Sequence, residues 1–267
     1  MRQCKQMMQL IVVLGSACVL LIGLVFVTQA QEVEVVRLTN GEWPPFTSQD
    51  LKHYGVYSHI VSEAFALEGI TVEYGFFPWK RSYIYVQKGE WDGSVTWAPT
   101  PEKEKSVFFS SPVFRHTKVF FHLKSFPFDW NSINDLKELY IGTTTEYSYG
   151  NEFDQAAEDG VLKVETVTRD TQNLRKLLSK RIQIFPSDID AGYALLNANF
   201  SPKEIALVTS HPKPIQQTVT CVIFTKATPK KGQRLLTLFN RGLAKLKKSG
   251  AYDQMLEAHR RGEYQQK

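Results

Sequence analysis

The side chains in this chain that could do chemistry are of the kinds that hold a molecule, not the kinds that cut one. Six histidines (His53, His59, His116, His122, His211 and His259) are scattered, with no pair at metal-binding spacing. There is no glycine-rich nucleotide loop and no Gly-x-Ser-x-Gly elbow. No cofactor, no metal and no catalytic residue is therefore expected. Cys221 lies in the alternating run Val219-Cys221-Ile223 with no base nearby in sequence, and reads as a small buried hydrophobe. Aromatic and charged residues remain. Trp43 and Phe46 flank two prolines just after a first strand pattern, where a loop can reach a cleft. Trp97 ends a later strand pattern. Trp79 opens a helix pattern and suits packing and stacking equally, and Arg81 beside it can meet a carboxylate or stay solvated. Aromatic faces attract cations as well as apolar groups, so such a set can wall a small polar ligand.

The elements that must position these residues alternate between strand and helix periodicity. A strand over 33–38 runs into the Trp43-Pro44-Pro45-Phe46 turn. Tyr57, Ile60, Val61, Ala64 and Phe65 fall on one helical face closed by Gly69, and Ile70, Val72, Tyr74 and Phe76 alternate as a strand. A helix from Trp79 ends at Gly89, strands follow at 93–97 and 119–123, and Lys124-Ser125-Phe126-Pro127 is a candidate crossover. The same order then restarts: a strand at 140–143, a helix through Phe153 and Ala157, a helix marked by Leu174, Leu177 and Leu178, and a strand at 182–185. Asp188 is placed to cap a helix running to Asn197. A strand at 205–208, a second candidate crossover at His211-Pro212-Lys213-Pro214, a strand at 219–224 and two helices split by Gly250 complete the chain. Two α/β units joined by two crossovers imply a discontinuous first lobe of residues 31–123 plus 219–267, and a second lobe of residues 124–218. Ligand sites in open α/β sheets lie at the carboxyl ends of strands, and a cleft between two such lobes brings both sets of strand ends onto one molecule.

Composition narrows the partners and the compartment. Arg2 and Lys5, an uncharged run over 10–27 and the small residues of Thr28-Gln29-Ala30 read as a cleaved export signal, residues 1–30, which favours a periplasmic protein starting at Gln31 over a retained anchor. Cys18 does not make a lipoprotein signal, because Gly15 stands where a larger apolar residue is needed. The remaining 237 residues carry 30 basic and 27 acidic side chains, too mild a surplus for a nucleic-acid binder. The Lys- and Arg-rich stretch 226–248 has Leu235, Leu236, Leu238, Phe239, Leu243 and Leu246 at helical spacing, so its charges are a solvated helix face.

From Trp79 to Phe121 the chain resembles the family-3 extracellular solute-binding proteins, the amino-acid-binding components of ABC importers. The resemblance rests on Gly89-Glu90-Trp91-Asp92-Gly93, Thr100-Pro101-Glu102-Lys103 and Phe109-Ser110-Ser111-Pro112, with further matches at Pro45-Phe46, Ile141-Gly142, Arg181-Ile182 and the tail from Lys248 to Asp253. It implies a two-lobed periplasmic-binding-protein fold of type II-like form, with central sheets, flanking helices and two crossovers. It also implies carried-over site residues. Lys103 stands where relatives have an Arg that forks onto the ligand carboxylate; an ammonium supplies the charge without the planar fork, and a surface role among Glu102, Glu104 and Lys105 stays open. Thr100 offers a hydroxyl. Tyr147 and Ser148 match a turn that takes an anionic ligand group, and Glu146 stands where relatives often carry Gly. Asp188 matches the residue that accepts from the ligand's amino group, with its helix-capping role as the rival.

The function implied is an exported, monomeric Venus-flytrap protein that captures a small polar, amino-acid-like ligand for the membrane permease of an ABC importer. Two other classes stay open on this fold. One is a sensory binder reporting to a membrane receptor. The other is an enzyme resembling cyclohexadienyl dehydratase, which would need an acid–base pair in the cleft.

Overall fold

The computed structural model describes residues 34–145 and 147–265; the expected export signal and Glu146 lie outside the described residues. Strands β1 (Glu34–Asn40), β2 (Ile70–Phe76) and β3 (Gly93–Trp97) are parallel, with β1 in the middle. Between them run α1 (Val56–Ala66) and α2 (Trp79–Lys88). Gly69 (φ 74°) and the αL cap Gly89 (φ 73°) close these two segments, as a residue without a side chain allows. The short helix α3 (Pro101–Glu104) and the three-residue β4 (Val107–Phe109) follow.

The chain then crosses. Strand β5 (Phe114–Leu123) begins five residues ahead of the Val119 start that the sequence pattern suggests. The crossing therefore lies inside a strand, not in Lys124-Ser125-Phe126-Pro127. The second unit comprises β6 (Tyr140–Thr144), α4 (Asn151–Glu158), β7 (Lys163–Val167), α5 (Asp170–Leu178), β8 (Ile184–Asp188), α6 (Ile189–Asn199), α7 (Pro202–Ile205) and β9 (Val208–Ser210). The expected strand at 205–208 is instead the end of α7 followed by β9: Pro202 at the first helical position and the Ser201–Glu204 capping box start a helix there. Strand β10 (Gln216–Thr225) carries the chain back, and α8 (Pro229–Lys248) and α9 (Ala251–Arg260), separated by the αL Gly250, complete the first unit. Here too a strand makes the crossing, just after His211-Pro212-Lys213-Pro214.

The sheet order is β2-β1-β3-β10-β5-β8-β6-β7, with β4 paired to β10 and β9 to β5. The outer strands are parallel, as the strand–helix alternation leads one to expect, but β10 and β5 run antiparallel to each other and to their neighbours β3 and β8. Two lobes result. One packs Val36, Leu38, Ile60, Phe65, Phe224, Leu235 and Phe239 together between sheet and helices. The other holds two clusters, around Phe121, Leu174 and Phe185 and around Phe120, Ile141 and Phe153. Cys221 is buried within β10, and burial pushes its thiol up to about 11. Among the described residues no helix is long and apolar enough to cross a membrane, and no cluster of His, Cys, Asp or Glu could hold a metal.

The first lobe depends on the close approach of α8 to α1. A Cβ at Gly242 would lie 1.9 Å from the carbonyl oxygen of Ala64. On an exposed helix Gly→Ala is favourable by about 1 kcal/mol. Here Gly242→Ala is expected to destabilise by about 1–3 kcal/mol through overpacking. Urea denaturation measures this, and an unchanged or raised midpoint would show that the two helices do not pack this closely.

Candidate functional site

A cavity of about 300 Å³ lies between the lobes, lined by Trp43, Pro44, Pro45 and Phe46 from the first and by Lys118, Tyr147, Ser148, Tyr149, Asp170, Ser187, Asp188 and Ala191 from the crossing strand and the second. The first-lobe wall is the turn after β1. Trp43 and Thr47 pair as an isolated bridge, and the Phe46 N–H donates to the Trp43 carbonyl at 2.9 Å. Phe46, only 2 % exposed, is anchored by ring contacts to Phe114 at 5.2 Å and His116 at 4.9 Å. It also meets His259 at 5.3 Å, whose burial pushes it down to about 4 and keeps it neutral at pH 7. Trp43 is less buried and leans on Phe46 and His116, each at 4.9 Å. The turn thus lines the cavity with both rings while rooting Phe46 in the core.

The floor is set by Asp188, last residue of β8 and N-cap of α6. Its Oδ1 accepts from the N–H groups of Asp190 (2.9 Å) and Ala191 (3.2 Å). Its Oδ2 accepts from the Thr117 N–H of β5 at 3.1 Å and lies 3.4 Å from Nδ1 of His116. One carboxylate therefore caps a helix of the second lobe and ties it to the crossing strand. Beside it, Lys118 Nζ donates to the Ser148 carbonyl and, at 3.3 Å, to Oε1 of Gln216 on β10. Burial lowers the Lys118 pKa, against the pull of Asp154 and Asp188.

Tyr147 is 46 % exposed at the mouth, and burial of its hydroxyl, with the nearby Asp170 charge, raises it to about 12. The Ser148 hydroxyl donates to Asp154 at 2.5 Å, and Asp154 also accepts the Tyr149 N–H at 2.8 Å, so the turn is fixed to the first turn of α4. Asp170 opens α5 at the carboxyl end of β7 and accepts from the Thr144 hydroxyl at 2.5 Å.

Of the residues singled out in the sequence, Trp43, Phe46, Tyr147, Ser148 and Asp188 line this cavity together. The other five do not. Trp79 packs over Gly41, where a Cβ would lie 2.5 Å from the indole, and meets Trp97 edge-on at 5.8 Å. Trp97 donates from its indole N–H to Ser94 Oγ at 2.7 Å. Lys103 Nζ lies 5.8 Å from the Trp97 ring centroid, and Thr100 caps α3 by accepting the Lys103 N–H at 3.3 Å. Thr100 and Lys103 line a separate, shallow depression with Tyr83 and Ser106. Arg81 is exposed on α2. Lys118 and Asp170 were not singled out from the sequence. The strand-end rule would have found Asp170 had the alternation of Lys163–Val167 been read as a strand.

The model of the bacterial extracellular solute-binding proteins, family 3, matches residues 35–261. Substrate-binding domain 2 of Lactococcus lactis GlnP, in an open conformation, superposes with a TM-score of 0.67 at 17 % identity, covering 85 % of this chain and 96 % of that one. A reconstructed ancestral cationic amino acid solute-binding protein gives 0.64 at 21 %, covering 84 % and 94 %. A histidine kinase sensor domain with similarity to periplasmic binding proteins gives 0.55 at 16 %, covering 84 % and 96 %. No curated protein matches by sequence.

The Asp188 geometry yields a stability prediction. Asp188→Ala removes a helix cap and leaves three N–H groups without their acceptor, so ligand-free protein is expected to lose about 1–3 kcal/mol. A loss under about 0.5 kcal/mol in urea denaturation would show that the carboxylate is not a structural tie.

Proposed function

Because the chain belongs to the bacterial extracellular solute-binding proteins of family 3, we propose that it captures a small amino-acid-like solute in the cleft between its lobes and delivers it to the permease of an ABC importer. The observation that carries this reading is the cavity itself. An aromatic wall (Trp43), a desolvated ammonium (Lys118) and carboxylates face one another across a space the size of a small zwitterion. Lys118 and the Tyr147-Ser148 turn are assigned to the ligand's anionic group, because Lys118 lines the cavity and Lys103 lies outside it. The solute-binding proteins that the fold resembles include an ancestral arginine-binding protein, which supports the amino-acid class.

The mature protein acts from outside the cytoplasm, as the family does. Its role is capture without bond breaking. The cavity's carboxylates and lysine are held by helix, turn and strand hydrogen bonds, which suit binding. A second reading, a sensor domain that reports the same solute to a membrane kinase, draws on the sensor domain of the same fold.

Residues 31–267, screened by thermal shift against the twenty L-amino acids with hexoses as controls, test the proposal. A ligand at a hundred times its Kd adds about 2.7 kcal/mol. At least one amino acid is expected to raise the melting temperature by several degrees, hexoses by none. Lys118→Ala is expected to weaken that ligand at least tenfold. No shift with any amino acid would defeat the proposal.

A further inference from the structure

The cavity is lined by two carboxylates, and their surroundings differ. Both oxygens of Asp188 are engaged, Oδ1 by two backbone N–H groups and Oδ2 by a third, with His116 Nδ1 3.4 Å from Oδ2. Among the described residues Asp170 makes one hydrogen bond, accepting at Oδ1 from the Thr144 hydroxyl. The arrangement that fixes it is built and buried. Asn173, fully buried, donates from Nδ2 to the Thr144 hydroxyl at 3.1 Å and to the Thr143 carbonyl at 3.0 Å, so Thr144 is itself oriented before it meets Asp170. Burial pushes the Asp170 carboxyl up, and after burial its charge is among the influences that raise Tyr147 and Tyr149, which line the same cavity. A half-buried carboxylate whose Oδ2 accepts from no described residue is one that a cation in the cavity can complete.

Resting on the solute-binding reading above, we propose that Asp170, and not Asp188, is the group that receives the solute's cationic nitrogen, an ammonium or a guanidinium. Asp170 supplies the oriented carboxylate, the rings of Tyr147, Tyr149 and Trp43 line the same cavity and favour positive charge, and Lys118 takes the anionic end. Asp188 remains the tie between α6 and β5. The cleft thus reads a ligand by two opposite charges on separate elements, the start of α5 and the crossing strand.

Asp170→Asn tests this, because it keeps the shape and the acceptor for Thr144 while removing the charge. Calorimetry compares parent and variant with L-lysine, L-arginine, L-norleucine, L-citrulline and L-glutamine. The variant is expected to lose at least tenfold in affinity for those that the parent binds through a cationic nitrogen. Loss confined to lysine and arginine assigns Asp170 to a side-chain cation; loss for glutamine and norleucine as well assigns it to the α-ammonium. In the parent, protonation of Asp170 removes the contact, so affinity falls on acidification from a higher pH than an ordinary aspartate would give, and the variant lacks that fall. Affinities within twofold of the parent for every ligand bound overturn the inference. The ligand-free proteins give an independent readout: the variant should melt no lower than the parent, and a drop of several degrees would make Asp170 a structural residue instead. If the parent binds no amino acid, the solute reading itself fails, and the ligand-free comparison still decides whether Asp170 is structural.

Discussion

The antiparallel pairing of β5 with β10, from Phe114–Thr220 to Lys118–Gln216, carries the chain between the lobes in both directions. The consequences reach most of the site. Side chains alternate along a strand, so Phe114, His116 and Lys118 share one face of β5. Phe114 and His116 are buried against the Trp43–Phe46 turn, and the His116 ring also reaches Thr220 Oγ1 on β10 at 3.0 Å. Two residues on, the same face delivers Lys118 to the cavity. The crossing strand is thus buried where it meets the first core and charged where it enters the cleft. In the proposed reading, two adjacent strands joining two separately packed cores act as a hinge: a few backbone angles can move the lobes while each core stays intact.

The cleft inherits its electrostatics from this construction. A strand crossing between lobes leaves its N–H groups near a helix start of the second lobe, and Asp188 satisfies both from one carboxylate. That arrangement engages both oxygens of Asp188 and leaves Asp170 and Lys118 as the cavity charges whose pKa values burial shifts. Desolvated groups of opposite sign on different elements stabilise an empty site poorly and a filled one well, which is how a binding protein couples solute capture to a change of shape.

The elements legible in the sequence were those with long periodicity or a terminal signal: α1 and α2 with their glycine caps, the β2 alternation, and the Asp188 cap of α6. The missed ones have reasons. Strands β4 and β9 have three residues each, too few to show a period, and β7 is an edge strand whose Lys163 and Thr166 are exposed. The first half of β5 alternates between a core and a cleft, so it shows neither a buried nor an amphipathic pattern. The site followed the same division. Trp43, Phe46, Tyr147, Ser148 and Asp188 sit at turns and strand ends that composition marks, and all five line the cavity. Lys118 lies in the half of β5 that the pattern did not reveal and Asp170 follows the unrevealed β7, and the placement of Trp79, Trp97, Thr100 and Lys103 in a strip of their own follows from packing over Gly41 and Ser94, which is a tertiary matter.

If β5 and β10 hinge two lobes around a solute, the protein must become more compact when the solute binds. Small-angle X-ray scattering of residues 31–267, alone and saturated with an amino acid that raises its melting temperature, tests it most directly. A smaller radius of gyration in the bound state is the predicted result. An unchanged radius at saturation would mean that the two lobes do not close on the bound solute.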